Sequence, residues 1–417
     1  LNKMLGLFKK KEPVIESKPV DIVCPYCFKK SRHDEVHFRM PKAGGKYKAE
    51  VDKLYNNWCD QYKLYDFLGQ EKNPAVSASD PDIQNKRYTK NGLLIEVTDP
   101  LGNETSERLC RNCHNILPHT AGRTPIVIIS VIGTTSCGKT VYLSSLINQL
   151  LNHDTAINFG ASAMPVSQEI DYIYQKNYYN PLFVQNKMPQ ATDLDLQFPL
   201  IFTLDFKDKT KQSITLCFFD VAGENVVNKN ALDTVARNIQ NSDGLLFLVD
   251  PTKLESIRAK MALNSKEEID LSVREKSPSD VILALYENFI AKEDSLATNK
   301  PTAVVLTKSD LLETLVDESG QYLKKNSNIF NNVIHKGYFN ETEYQNINGE
   351  IQQFVNKVDR NFGNRFENYF NKRGYFAVSA LGTNPDDLNG VITPKRIDEP
   401  LLWILHQKGI IKGEPRG

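Results

Sequence analysis

"VIGTTSCGKT", Val131–Thr140, decides the fold. Gly133, four residues, then Gly138, Lys139 and Thr140 follow the apolar run "PIVIISVIG" and precede the amphipathic run "TVYLSSLINQLL". Strand, glycine-bounded turn and helix in that order make a phosphate-binding loop. The glycines let the loop amides, those of Ser136, Cys137 and Gly138 among them, turn inward around a β-phosphate. The amino terminus of the following helix adds partial positive charge. Lys139 is placed to reach the β- and γ-phosphates, and the Thr140 hydroxyl to ligate Mg²⁺.

The loop does not choose its nucleotide, but three later stretches do. "FFDVAGE" ends a strand at Asp220, which can hold the Mg²⁺ shell, and the Gly223 amide can bond a γ-phosphate. "VVLTKSD" places Thr307, Lys308 and Asp310 after another strand. The Asp310 carboxylate can accept from the N1 and N2 hydrogens of guanine, and adenine would leave it unpaired. The stem of Lys308 can lie over the base. "FAVSALG" ends a further strand at Ser379 and Ala380, where an amide can bond guanine O6. An ATPase is the competing reading, and Asp310 separates the two.

The surrounding texture fits one architecture. "PLIFTLDF" and "SITLCFFD" read as an antiparallel pair; "GLLFLVD", "TAVVLT" and "GYFAVSA" read as three more strands separated by helical sequence. "EPLLWILHQKG" reads as a closing helix stopped by its glycine. Strands alternating with helices predict an α/β fold with a doubly wound sheet flanked by helices.

With these motifs in order, residues 124–412 resemble a P-loop GTPase of the translation-factor-related class. The leader and the large insertions are also similar to the bacterial double-GTPase group of conflict and defence systems. The resemblance implies binding of GTP and GDP, Mg²⁺ dependence and two switch segments ordered by nucleotide. It also implies a switch threonine on Mg²⁺ just before the second strand, for which Thr192 in "MPQATDLDLQFPL" is the best-placed candidate. Glu224 stands where related switches carry Gln or His to orient the attacking water. A glutamate can orient water too, but its charge beside a γ-phosphate predicts slow intrinsic hydrolysis that a partner accelerates. The expected catalytic set is Lys139, Glu224 and Thr192. A scaffold that binds GTP without hydrolysing it is the alternative.

Seven cysteines stand at 24, 27, 59, 110, 113, 137 and 217. "CPYC" (Cys24, Cys27) and "CRNC" (Cys110, Cys113) have the two-residue gap that lets two thiolates face one metal, so the four predict a closed structural Zn²⁺ site. His33, His37, His114 and His119 could replace a ligand, although surface positions suit them better. Cys59 and Cys217 read as core residues. An odd count with one thiol in the phosphate loop argues against a disulfide scaffold and for a reducing cytoplasm.

The expected organisation is a tail over 1–20, a small zinc-binding α+β module over 21–120 and a GTPase domain over 124–417. Insertions are expected near 155–198, 252–300 and 311–372. The module should hold a helix near Glu50–Leu68, a hairpin turning at Asp99–Asn103 and a loop over Asn73–Pro81. Lys+Arg and Asp+Glu both number 51, so no global field draws the chain to nucleic acid or anionic membrane. The lysines and arginines between 29 and 48 are interleaved with Asp34, Glu35, Glu50 and Asp52, which argues for a solvated face. A nucleotide-regulated nucleic-acid adaptor is therefore the weaker reading. No apolar run approaches bilayer length. The expected partner is a protein effector or activator docked by the zinc module, with a homodimer left open.

Overall fold

Seven strands form one sheet, and its central strands are apolar on both faces, as a sheet covered on both sides requires. In chain order they are β1 (Ile126–Gly133), β2 (Ala161–Pro165), β3 (Leu200–Phe206), β4 (Ile214–Ala222), β5 (Gly244–Val249), β6 (Thr302–Leu306) and β7 (Arg373–Ala377). The computed structural model describes residues 18–41, 47–62, 64–134, 136–189, 198–208, 210–222, 237–258, 276–293, 295–315, 323, 326–382 and 391–414.

The spatial order is β2-β3-β4-β1-β5-β6-β7. β4, β1, β5, β6 and β7 run parallel, whereas β2 and β3 are antiparallel to their neighbours. β1 is central and inherits neighbours on both sides: Gly133 lies opposite Ala222 of β4 and Leu248 of β5. Order reverses at β1, and a ligand crevice forms at the carboxyl ends of strands at such a switch point. Besides the one-turn helix Asp154–Asn158, the described helices around it are α1 (Lys139–Asn152), α2 (Gln168–Tyr174), α3 (Pro278–Leu285), α4 (Glu341–Val358), α5 (Arg360–Tyr369) and α6 (Glu399–Gln407). They flank the sheet in the doubly wound manner. None of the described helices is long and apolar enough to cross a membrane.

The stretch expected as an insertion near 155–198 does more than insert. It supplies the edge strand β2 and then α2, which continues into a π-helical run, Gln175–Val184. Tyr174, Tyr178 and Leu182 of the aromatic segment are buried, so that segment packs inward. Tyr172 and Val184 stay exposed.

Ahead of the sheet lies an α+β module built from very short strands. His37–Arg39 is flanked by Ala75–Ser77 and Arg108–Leu109, and Leu94–Thr98 by Asn85–Tyr88 and Glu104–Thr105. The Asp99–Asn103 turn forms as expected, with Asp99 Oδ1 accepting from the amides of Leu101 and Asn103. The helix near Glu50–Leu68 is shorter than expected. It spans Lys53–Gln61, begins where Asp52 caps the Leu54 and Tyr55 amides, and is preceded by a strand residue pair, Glu50–Val51. The Asn73–Pro81 loop contains the strand Ala75–Ser77, because the open edge of His37–Arg39 supplies partners that local sequence cannot announce. Cys59 and Cys217 are both fully buried.

Candidate nucleotide and metal sites

Gly133 closes β1 where no side chain fits. A Cβ there would lie 2.5 Å from Cys137 Sγ and 2.7 Å from the Leu248 carbonyl oxygen. Ser136 and Gly138 then turn the chain through the left-handed region, at φ of 59° and 85°. Gly138 is the N-cap of α1 and carries no capping side chain, whereas Asp52, Ser167, Ser277, Asn340 and Asp359 cap their own helices. A helix amino terminus without a capping side chain suits an anion. The buried Thr134 hydroxyl has no hydrogen-bond partner among the described residues. Lys139 Nζ donates to the loop's own carbonyls, 3.2 Å from Gly133 and 3.4 Å from Thr134. Burial pushes the Cys137 thiol up to about 11, so it stays protonated and serves as packing under the loop. Gly133→Ala is expected to abolish phosphate binding and to destabilise the fold by about 1–3 kcal/mol through overpacking against backbone. Thermal unfolding beside a nucleotide titration checks this.

Four stretches far apart in sequence meet at the carboxyl edge of the sheet. Asp220, half-buried, sits in register with Val131 of β1. Thr307, just after β6, donates its hydroxyl to the Cys137 carbonyl at 2.8 Å and so ties "TKSD" to the phosphate loop. Lys308 is left-handed at φ 53°, an unusual conformation for a non-glycine residue. Its ammonium lies 3.3 Å from the Ser136 carbonyl and 2.6 Å from Asp250 Oδ2. Ser379 Oγ donates to Asp310 Oδ1 at 2.6 Å, which joins "TKSD" to "SAL". The Ala380 carbonyl in turn accepts from Ser145 Oγ of α1 at 2.8 Å. Thr140, the second residue of α1, is half-buried. Thr192, Gly223 and Glu224 lie outside the described residues.

Asp250 was not among the expected site residues, although it closes β5 as Asp220 sits near the end of β4. It is buried, accepts from the Thr252 amide and hydroxyl, and anchors the Lys308 ammonium. Its position at a strand's carboxyl end was the available signal. Ser145 had none, since a serine inside an amphipathic helix looks like any other.

The four module cysteines converge. Cys24, Cys27, Cys110 and Cys113 place their sulfurs within 4.8 Å of one another, with Cys24–Cys113 and Cys27–Cys110 both at 3.7 Å. Four sulfurs about 2.3 Å from a central zinc would be spaced about 3.8 Å apart, so the donor set fits a tetrahedral ion. The two knuckles repeat one geometry. Phe28 and His114, the residues after each pair, are left-handed at φ of 59° and 51°, and their amides bond the Cys24 and Cys110 carbonyls. The Tyr26 and Asn112 amides donate to Cys24 and Cys110 Sγ, and Asn115 Nδ2 donates to Cys113 Sγ. Such donors support thiolate charge.

None of the four candidate histidines joins this set. His119 bonds the Val166 carbonyl. His37 and His114 were expected at the surface; instead they form a partly buried chain, His37 Nδ1 to His114 Nε2 at 2.8 Å and His114 Nδ1 to Asp52. Arg39 pairs with the same carboxylate at 2.7 Å. Burial pushes the His37 imidazole down to about 4, with His114 and Arg111 adding to it, so His37 is neutral at pH 7. Burial raises Asp52, but hydrogen bonds from His114, the Tyr55 amide and Arg39 outweigh it and hold the carboxyl well below its usual range. The chain was illegible in sequence because its members are up to 77 positions apart.

The sequence model of the family described as Double-GTPase 2 matches residues 127–363, more than half of the chain. The chain belongs to that family. Among curated proteins it is 23% identical over 411 residues to "Putative ESX-1 scaffolding and assembly protein SaeC" of Mycolicibacterium smegmatis, covering 93% of this chain and 99% of that one. Among solved structures it is similar to an Era variant of Aquifex aeolicus bound to GDP and AlF4⁻, with 15% identity and a TM-score of 0.27 over 70% of this chain. The match spans 58% of the Era chain. The Arl6 small GTPase of Trypanosoma brucei with bound GppNp matches 68% of this chain and 97% of its own, at 12% identity and a TM-score of 0.29. A Double-GTPase 2 member thus carries a cysteine-clustered module ahead of its sheet.

Proposed function

We propose that the chain is a GTP-binding switch that hydrolyses GTP to GDP with Mg²⁺. The observation that carries this reading is the junction of three loops. Thr307 and Lys308 hold the phosphate loop, while Asp310 of the same stretch is oriented by Ser379. These contacts support a reading in which a carboxylate meets the base and the loop cradles the phosphates, as a guanine nucleotide requires. Membership of the Double-GTPase 2 family supports it.

In this reading Gly133, Ser136, Cys137, Gly138 and Lys139 cradle the β- and γ-phosphates. Thr140, Asp220 and Thr192 hold Mg²⁺, which would neutralise charge on the phosphates when bound. Thr307, Lys308, Asp310, Ser379 and Ala380 take the base, and Gly223 and Glu224 face the γ-phosphate and its attacking water. Zn²⁺ on the four module cysteines braces the fold. The relative's name, scaffolding and assembly in ESX-1, supports a protein partner for the module. The defence role that the group resemblance implies rests on that resemblance alone. Cysteines without a disulfide among the described residues fit a reducing cytoplasm.

The test is a titration with fluorescent GTP and ATP analogues in Mg²⁺, then single-turnover hydrolysis. GTP should bind and ATP should not. Lys139→Ala should weaken GTP by at least about 100-fold, since it removes charge-assisted bonds to two phosphates. Equal ATP affinity would return the chain to the ATPase reading. Tight GTP binding with no turnover, alone or with a partner, would make it a GTP-dependent scaffold.

A further inference from the structure

Phe198 and Arg237 sit at corresponding places in the chain. Phe198 directly follows residues 190–197, which contain Thr192, and precedes β3. Arg237 directly follows residues 223–236, which contain Gly223 and Glu224. Each adjoins a stretch to which the proposed function assigns contacts with Mg²⁺ or the γ-phosphate, and both Phe198 and Arg237 lie against the cysteine module.

The contacts are specific. The Phe198 ring stands 6.2 Å from Trp58 and 5.5 Å, edge-on, from Phe67, centroid to centroid. It packs with the module's core residues. The Arg237 guanidinium lies 5.5 Å over the ring of Tyr62, at the carboxyl end of the module helix. Trp58 is itself held by the metal-binding knuckle, because its indole N–H donates to the Tyr26 carbonyl at 3.1 Å, and Tyr26 lies between Cys24 and Cys27. A third contact, Phe28 with Phe219 at 5.4 Å, joins the first knuckle to the residue before Asp220. The Cys24–Cys27 knuckle, Trp58 and Tyr62 therefore form one face that touches both Phe198 and Arg237.

Among the described residues, the interface around Phe198 is not closed. A cleft of about 730 Å³ runs beside it, lined by Tyr26, Tyr55, Phe67, Ile170, Ile173 and Phe198. An aromatic side chain next to open space can take a second position without overpacking the core.

We infer that the cysteine module is the chain's own reader of its nucleotide: the face made by Trp58, Phe67 and Tyr62 holds Phe198 and Arg237 differently with GTP and with GDP. This inference rests on the guanine-nucleotide reading above. Its consequence is reciprocal. If nucleotide moves Phe198 and Arg237 against the module, changing the module's grip must change the relative affinity for GTP and GDP by the same factor.

The chain has two tryptophans, Trp58 and Trp403, so Trp403→Phe leaves Trp58 as the sole indole reporter. In the full zinc-loaded chain, Trp58 emission should differ between the GTPγS and GDP complexes. Phe198→Leu and Arg237→Gln should each reduce that difference and shift the ratio of GTPγS to GDP affinity by about 5-fold or more. Zinc content and circular dichroism check that each variant is folded, and if Phe198→Leu fails, Arg237→Gln carries the measurement. Identical Trp58 emission in both complexes overturns the inference. So does an emission change with wild-type affinity ratios in the folded variants, because the module would then sense without coupling. If labelled nucleotide does not bind the chain at all, the guanine reading falls, and this inference with it.

Discussion

Asp310→Asn should cost GTP affinity about 10²- to 10⁴-fold while leaving the fold intact. In the proposed site the carboxylate accepts two hydrogen bonds from guanine, and bonds to a charged group are worth about 1.5–3 kcal/mol each. The carboxamide can accept only one and turns a donor toward the amine at C2. Xanthine carries a carbonyl at that carbon, so the same variant should gain affinity for xanthosine triphosphate. Stability should hold because Ser379 Oγ can still donate to the amide oxygen at position 310, as it does to Asp310 Oδ1 now. Competition of GTP, ATP and xanthosine triphosphate against one fluorescent analogue measures all three affinities. Unchanged GTP preference in a folded Asp310→Asn chain would remove the base assignment. Loss of GTP without gain of xanthosine triphosphate would point to Lys308, whose ammonium already bridges Asp250 and the phosphate loop, as the residue disturbed.

The centre of the sheet was legible because its strands are long apolar runs that no other element can bury. β1, β5 and β6 are each nearly or wholly buried along their length. The phosphate loop was legible for a different reason: glycine spacing, lysine and threonine are demanded by covalent geometry and charge, not by distant contacts. β2 was missed because "ASAMP" has no β-branched residue and little bulk; it becomes a strand only because β3 offers an open edge. The His37–His114–Asp52–Arg39 chain and the Ser145–Ala380 bond were missed likewise, since each depends on which chain segments the fold brings together. Asp250 stands between these cases. Its position after β5 was visible, but its use was not, because that use is to hold Lys308.

Removing the zinc proposed for the four module cysteines should undo the module and spare the sheet. The module's strands are two to five residues long, and sheets that short do not support themselves. Its buried cluster includes Cys24, Cys110 and Cys113 themselves, so part of its core exists only while the sulfurs are gathered. Binding of structural zinc to such sites supplies about 10–16 kcal/mol of apparent free energy near neutral pH, far more than a small core can replace. The sheet has its own continuous core running from β1 to α6. A chelator, or Cys110→Ser, is therefore expected to give loss of one zinc per chain, rapid proteolysis between residues 21 and 120, and a surviving high-temperature transition from the sheet. Cys59→Ser is the control. Cys59 is equally buried but lies outside the four-sulfur cluster, so this change should cost only about 1–3 kcal/mol for a poorly paired hydroxyl and leave zinc in place. Purified chain without zinc, yet with wild-type melting and proteolysis, would show that the four cysteines are ordinary core thiols. A single transition lost entirely on chelation would mean instead that the sheet depends on the module, and the contacts of Phe28 with Phe219 and of Thr120 with Thr215 are where that dependence would lie.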